Sequence, residues 1–244
     1  MKNSVVLENL TVRKRKRLLV NNVSLQVAAG EIVGLLGPNG AGKTTTFESI
    51  IGLYHGDHGR VLINGTDVTN TSESKRARLG LGYLPQEPSI HRGLTVTENI
   101  LAALQMRNDL DHTQRTQELD RLITEFNLDS LRNTKGMSLS GGERRRTEIA
   151  RALAANPTCI LLDEPFAGVD PISVDEIKKM IIDLKRRNLA ILITDHNVRE
   201  TLDICERGYI LNNGEIIAAG SPTQLLANEK VREVYLGQDF EMIT

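Results

Sequence analysis

A glycine-rich run that ends in lysine and threonine lies directly after the predicted strand Ile32–Leu36. The run reads Gly37, Pro38, Asn39, Gly40, Ala41, Gly42, Lys43 and Thr44, and Thr45 follows it. This is the spacing of a P-loop, in which glycines let backbone N–H groups approach phosphate oxygens at the start of a helix. Lys43 can reach the β- and γ-phosphates, and Thr44 can hold Mg²⁺. We therefore predict that residues 37–45 bind a nucleoside triphosphate with Mg²⁺.

Two adjacent acids follow a second apolar strand, residues 159–162. Asp163, at the end of this strand, fits the role of a second Mg²⁺ ligand. Glu164 points to the other side of an extended chain, where it could take a proton from the water that attacks the γ-phosphate. An apolar strand that ends in two acids is also common as a solvated strand end. Together with a P-loop, however, the pair predicts a hydrolytic site.

The elements that position these residues alternate in the second half of the chain. Helix, strand, helix and strand are predicted at 142–155, 159–162, 174–187 and 190–194. Such alternation indicates a mostly parallel sheet that is flanked by helices. Short β-like runs open the sequence, whereas residues 88–155 have helical spacing. We therefore predict one domain over residues 1–244, with a catalytic core at 1–87 and 156–244 and a helical subdomain at about 88–155.

Length and composition restrict the class of protein. The 244 residues suit one α/β domain with an insertion. Lys and Arg number 30 and Asp and Glu 31, so the net charge is −1, which argues against a dedicated nucleic-acid binder. No apolar run approaches the roughly 18 residues of a membrane span. We expect a soluble cytoplasmic chain in which Cys159 and Cys205 are unpaired thiols.

The segment Leu139-Ser140-Gly141-Gly142-Glu143 precedes a predicted helix. A serine followed by glycines is by itself only a good helix start. In its order and spacing relative to the P-loop and the strand acids, however, the segment resembles the signature L-S-G-G-[QE] of the ATP-binding cassette (ABC) ATPases. This resemblance implies an α/β P-loop NTPase core of the ABC type, with an antiparallel β subdomain and a helical insertion that carries the signature.

The same resemblance implies how the site is completed. Two copies would pair head to tail as a homodimer, so that each signature covers the ATP held by the P-loop of the other copy. The residues that would contact ATP across this interface are Ser140, Gly141, Gly142 and Asp170. Gln86 would join the Mg²⁺ shell, and His196 would be the switch histidine at the γ-phosphate. A lone histidine is otherwise more often structural or solvated.

Several longer segments are similar to those of ATPases from lipopolysaccharide exporters. They are residues 84–87, 141–146, 163–171, 194–201 and 234–240. This resemblance implies ATP-driven extraction of lipopolysaccharide, the indirect cargo, from the inner membrane and its export toward the outer membrane. It also implies a homodimer on the cytoplasmic face of the inner membrane, beneath two transmembrane subunits of the LptF and LptG type.

Two alternatives remain open. One is the ATPase of a branched-chain amino acid importer or of another ABC importer. The other is a soluble ABC ATPase that acts on nucleic acid or ribosomes. The single cassette, without long coiled-coil heptads or a Cys-rich zinc element, argues against the second alternative. We therefore expect no nucleic-acid partner.

Two positions depart from the family pattern. The family usually places an adenine-stacking aromatic residue near the end of the first strand, where this chain has a basic run at 13–17. The guanidinium of Arg13 or the stem of Lys14 could cover the base instead, or the run could be a solvated hairpin tip or contact nucleic acid or anionic lipid. His91 stands where a bulky aromatic residue is expected in the groove for the membrane subunits. It could equally be an ordinary surface histidine.

Overall fold

The computed structural model describes residues 3–237, and their strands form two sheets. The first sheet is antiparallel and has the order β2-β1-β4-β5. Its strands are β1 Asn3–Lys14, β2 Arg17–Ala28, β4 His58–Ile63 and β5 Thr66–Asp67. The short β-like runs that open the sequence are therefore parts of longer strands, and the basic run at 13–17 forms the tip of the hairpin that β1 and β2 make.

The second sheet has the order β10-β9-β3-β8-β7-β6 and is parallel except for β10. Its strands are β3 Ile32–Leu36, β6 Leu81–Leu84, β7 Cys159–Asp163, β8 Ala190–Thr194, β9 Arg207–Asn212 and β10 Glu215–Gly220. Because parallel strands end at the same edge, the segments after β3, β8, β7 and β6 lie side by side in that order.

Helices lie between these strands and after the last of them. They are α1 Lys43–Ile51, α2 Glu73–Arg78, α3 Val96–Leu104, α4 His112–Glu125, α5 Gly141–Ala154, α6 Pro171–Arg186, α7 Val198–Ile204, α8 Pro222–Leu226 and α9 Glu229–Val231. Helices α3, α4 and α5 all lie between β6 and β7 in the chain. Within residues 3–237, no helix is both long enough and apolar enough to cross a membrane.

Alternate residues of the central strands face two different apolar cores. On β7, Ile160 and Leu162 belong to the core that includes residues of α3 to α6. Cys159 and Leu161 belong to the core that includes α1 and the antiparallel sheet. The strands are buried on both faces, which is why they read as continuous apolar runs in the sequence. The predicted α/β fold with an antiparallel β subdomain is confirmed, and both cysteines are free and buried.

Two strands near the carboxyl end, β9 and β10, were not predicted. They form a hairpin through Asn213 and Gly214, both of which have positive φ angles of 48° and 83°. An Asn-Gly pair is a strong signal for this type of turn. The sequence therefore contains a turn signal for this hairpin, although each of the two strands has only six residues.

Candidate functional site

The predicted P-loop joins β3 to the start of α1, which places its backbone at a helix N-terminus. A side chain at Gly42, where φ is 110°, would have its Cβ only 2.7 Å from the carbonyl oxygen of Leu19. The Lys43 amino group donates to the carbonyl oxygens of Gly37 at 2.6 Å and Pro38 at 3.1 Å. Burial lowers the pKa of Lys43, against the opposing effect of Glu164. The lysine therefore crosses the loop as a partly desolvated cation.

Asp163 ends β7 as a buried carboxylate, with 3% of the residue exposed. Burial, followed by the charge of neighbouring Glu164, raises the pKa of Asp163 to about 6. The hydroxyl of Tyr83, on the adjacent strand β6, is hydrogen-bonded to this carboxylate. Beside Asp163 on β8, the Thr194 hydroxyl is buried and is without a hydrogen-bond partner within the described part of the chain. Oxygen atoms thus collect at this edge of the sheet.

The Glu164 carboxylate is held by side chains that follow two other strands. Nε2 of Gln86, just after β6, donates to Oε2 of Glu164 at 2.8 Å. Nε2 of His196, just after β8, lies 2.6 Å from Oε1 of Glu164. The Glu164 backbone N–H donates to the carbonyl oxygen of Thr194 at 2.7 Å. Glu164 itself has a φ of 47°, an uncommon angle for this residue type.

A cavity of about 450 Å³ brings most of the predicted site residues together. Its lining consists of Asn39, Gly40, Ala41, Gly42, Lys43, Thr44, Thr45, Gln86, Glu164 and His196, together with Arg17 and Leu19. The predicted residues Gly37, Pro38 and Asp163 are outside this lining, although Asp163 is close enough to Lys43 to affect its pKa. The arrangement combines phosphate-binding groups with a carboxylate that can act on water.

The signature residues lie elsewhere in the same chain. The Ser140 hydroxyl accepts from the Glu143 N–H at 3.3 Å, and the Glu143 carboxylate accepts from the Ser140 N–H at 2.8 Å, which caps α5. Gly141 lies against the carbonyl oxygen of Gly168, and Gly142 lies against Ser173 in the first turn of α6, whose N-cap is Asp170. Gly141 lines a second cavity of about 400 Å³. Within residues 3–237, the signature therefore does not border the P-loop cavity of its own chain.

Asp195 is a buried residue of the site that the sequence reasoning missed. Its carboxylate accepts from the backbone N–H groups of Phe166 at 3.0 Å and Asn197 at 2.8 Å. It therefore ties the chain after Glu164 to the chain after His196. Burial raises the pKa of Asp195. The only sequence signal was its position between a buried strand and the histidine.

The two departures from the family pattern are both exposed. The hypothesis placed Arg13 or Lys14 over the base, whereas the structure places Arg17 and Leu19 along the P-loop cavity. The backbone N–H of Arg13 donates to Oδ2 of Asp57 at 2.6 Å. The backbone N–H of His91 donates to Oδ1 of Asn99 at 2.8 Å, and the His91 carbonyl accepts from Nδ2 of Asn99 at 3.1 Å. A buried asparagine thus holds the loop that presents His91.

Two family models match parts of the chain. A model described as "ABC transporter" matches residues 20–167. A second model, "Branched-chain amino acid ATP-binding cassette transporter", matches residues 215–241. Residues 238–241 lie outside the described residues. The segment 234–240, which was similar to those of lipopolysaccharide-exporter ATPases, therefore also ends outside them.

Curated relatives are similar over almost the full length. The lipopolysaccharide export system ATP-binding protein LptB of Haemophilus influenzae is 58% identical over 96% of this chain and 98% of its own. The protein of the same description from Escherichia coli K12 is 56% identical over the same shares.

Solved structures of similar shape are also ATP-binding cassettes. The ADP conformation of one cassette of an ABC transporter has a TM-score of 0.86 at 28% identity, over 98% of this chain and 100% of that one. A dimeric cassette bound to ADP and phosphate has a TM-score of 0.80 at 26% identity, over 89% of this chain and 98% of that one.

Proposed function

The chain belongs to the ABC transporter family of ATP-binding proteins, and on that premise we propose that it is the ATPase subunit of a lipopolysaccharide exporter. Its ATP hydrolysis would drive extraction of lipopolysaccharide from the inner membrane and export toward the outer membrane. The main structural support for ATP hydrolysis is the position of the Glu164 carboxylate, which contacts Gln86 and His196 at the P-loop cavity. The cargo is supported by the LptB relatives at 58% and 56% identity.

The P-loop would hold the phosphates of ATP. Backbone N–H groups of 37–45 at the α1 N-terminus supply positive potential, and Lys43 supplies a cation that already lies along the loop. A phosphate would replace carbonyl oxygens as the acceptor of the lysine, since charge-assisted bonds are the stronger ones. The lysine needs only to release Gly37 and Pro38 to do so.

Residues at the start of α1 and after the ends of β6 and β7 fit a bound Mg²⁺. The Thr44 hydroxyl, the Gln86 amide oxygen and the Asp163 carboxylate are the hard oxygen donors that this ion prefers. The buried, unpartnered Thr194 hydroxyl beside Asp163 is consistent with a polar group bound at this edge. When bound, Mg²⁺ neutralises the phosphate charge that develops during phosphoryl transfer.

Glu164 would act as the general base. Its carboxylate would accept a proton from the attacking water as the bond to the γ-phosphorus forms and the bond to the ADP oxygen breaks. His196 would donate to the γ-phosphate from the neighbouring strand end. The contacts that Gln86 and His196 make with Glu164 orient the carboxylate toward the cavity.

The working unit would be a homodimer. Ser140, Gly141, Gly142 and Asp170 would complete the site of the partner copy, because in their own chain they do not border the P-loop cavity. A head-to-tail pair with two-fold symmetry contains two such sites. Support for this pairing comes from the similar dimeric cassettes.

Two transmembrane subunits of the LptF and LptG type would hold this dimer at the cytoplasmic face of the inner membrane. Residues 88–155 would form the helical subdomain between the parts of the catalytic core at 1–87 and 156–244. The exposed loop at His91, next to Gln86 in the chain, would lie in the groove that receives these subunits. Lipopolysaccharide would then be an indirect cargo that this chain does not touch.

An amino acid importer is the second candidate, since the branched-chain amino acid family model matches residues 215–241. Depletion of the protein in cells separates the two candidates. Export predicts that lipopolysaccharide accumulates in the inner membrane while leucine uptake is unchanged. Loss of leucine uptake with a normal outer membrane would reject export. Recovery of the protein with nucleic acid instead of membrane subunits would favour the soluble alternative.

A further inference from the structure

Arg145, one turn into α5, is a buried arginine whose hydrogen bonds reach two separate backbone segments. It is 5% exposed. The guanidinium donates to the carbonyl oxygens of Asp163 at 2.8 Å, Glu164 at 3.1 Å and Pro165 at 3.2 Å. It also donates to the carbonyl oxygen of Pro85 at 2.9 Å. One side chain therefore contacts both the backbone of the proposed base and the residue before Gln86.

Glu148, one turn further along α5, is the ion-pair partner of Arg145 at 3.2 Å. It is 2% exposed. Its Oε1 accepts from the backbone N–H groups of Ser89 at 2.7 Å and Ile90 at 3.2 Å. Glu148 thus holds the chain immediately before His91.

A buried pair of charges is costly to desolvate and is retained only with good geometry and further hydrogen bonds. Here, the pair makes further hydrogen bonds to two segments. One segment is the backbone before and after Gln86, and the other is the end of β7 that carries Glu164. Planar guanidinium donors fix direction as well as distance. Because both charges stand on α5, the segment 85–90 and the Glu164 backbone are anchored to the same helix.

We propose that Arg145 and Glu148 are positioning residues that make the placement of Glu164 depend on the segment 85–90, and so make ATP turnover depend on the membrane subunits that load this segment. The inference rests on the proposed function. Among the described residues, neither Arg145 nor Glu148 lines the P-loop cavity, and both act through the backbone.

Two variants break this connection at opposite ends. Glu148→Gln removes one charge and weakens the hold on Ser89 and Ile90. Arg145→Lys keeps a cation for Glu148 but lacks the planar fork that reaches the carbonyls of Asp163 and Glu164. Arg151→Lys is the matched control, since Arg151 lies on the same helix and donates to the Ser89 hydroxyl at 2.7 Å, but within the described residues it makes no hydrogen bond to the strand end at 163–165.

Purified full-length homodimers should be assayed for ATP affinity, kcat and hydrogen exchange, with and without the membrane subunits. We expect both variants to keep ATP affinity within about threefold while kcat falls by about 100-fold, as for an ångström-scale misplacement of a catalytic group. Arg145→Lys should speed exchange of the Glu164 amide and leave the Ser89 and Ile90 amides protected. Glu148→Gln should speed exchange at all three amides, and Arg151→Lys should resemble the wild type.

A purely structural pair would give a different result. The variants would then lower thermal stability while kcat of the folded fraction and exchange at Glu164 stay at wild-type values, which would overturn the inference. Glu164→Gln, assayed in parallel, separates this failure from that of the proposed function. If Glu164→Gln still turns over, the assigned base is wrong. If it is inactive while Arg145→Lys and Glu148→Gln are normal, only the positioning role is wrong.

Discussion

His196 and Glu164 are in direct contact, with 2.6 Å between Nε2 of the histidine and Oε1 of the carboxylate. They follow adjacent parallel strands, β8 and β7, so the contact is a consequence of strand order. Gln86, which follows the next strand, occupies the other carboxylate oxygen at 2.8 Å. The proposed base is therefore oriented by two neighbouring side chains.

His196→Ala should reduce turnover far more than nucleotide binding. The substitution removes one of the two groups that orient Glu164 and a donor to the γ-phosphate, so kcat should fall by about 100-fold or more. Steady-state ATPase rates and ATP titrations would measure the two effects. His112→Ala, at an exposed position on α4, is the control and should be neutral. A normal kcat in His196→Ala would remove the histidine from the proposed mechanism.

Lys43→Ala should abolish tight nucleotide binding. The lysine is the cation that lies along the P-loop, and loss of a charge-assisted contact to phosphate should lower ATP affinity by about 30-fold or more. Equilibrium titration with ATP gives the affinity, and Lys75→Ala on the exposed face of α2 serves as the control. Equal affinity in the two variants would contradict the phosphate role.

Arg17→Ala should weaken ATP binding modestly. Arg17 and Leu19 line the P-loop cavity, whereas Arg13 and Lys14 do not. A guanidinium over a base at an exposed site is worth about 0.5–1 kcal/mol, or a two- to fivefold loss of affinity. Lys14→Ala should leave affinity unchanged in the same titration. The reverse order of effects would support the hypothesis that Lys14 covers the base.

Arg76→Leu should destabilise the fold around α1. The Arg76 side chain is fully buried and donates to the carbonyl oxygens of Ser49 at 2.6 Å and Ile50 at 2.7 Å, in the last turn of that helix. Carbonyls left without a donor should lower the free energy of unfolding by about 3 kcal/mol. Urea unfolding measures this, with exposed Arg78→Leu as the control. A change below about 0.5 kcal/mol, the usual range for surface substitutions, would show that water replaces the guanidinium.

Local sequence patterns were sufficient for the catalytic elements. The strands Ile32–Leu36 and Ala190–Thr194 have the bounds that their apolar runs indicate, because both faces of these strands are buried. The motifs also follow the strands that were expected. The division of the chain at residues 88 and 155 stays a prediction, as do the assigned roles of the site residues.

Contacts between segments that are distant in the chain could not be predicted from local sequence patterns. Arg145 is one of three consecutive arginines in the sequence, and only the fold shows that it is buried while its neighbours Arg144 and Arg146 are half-buried. Likewise, the order of the sheet, which brings β8 between β3 and β7, decides that His196 meets Glu164. Arg17 was missed because the length of the β1–β2 hairpin determines which basic residue reaches the cavity.

The measurement that tests the central claim most directly is ATP turnover by Glu164→Gln. The amide is nearly the same size as the carboxylate and can still contact Gln86 and His196, but it cannot accept the proton from water. We predict that the variant binds ATP with near wild-type affinity and forms an ATP-dependent homodimer, while kcat falls by about 1,000-fold. Turnover within threefold of the wild type, with the same ATP affinity, would contradict Glu164 as the base.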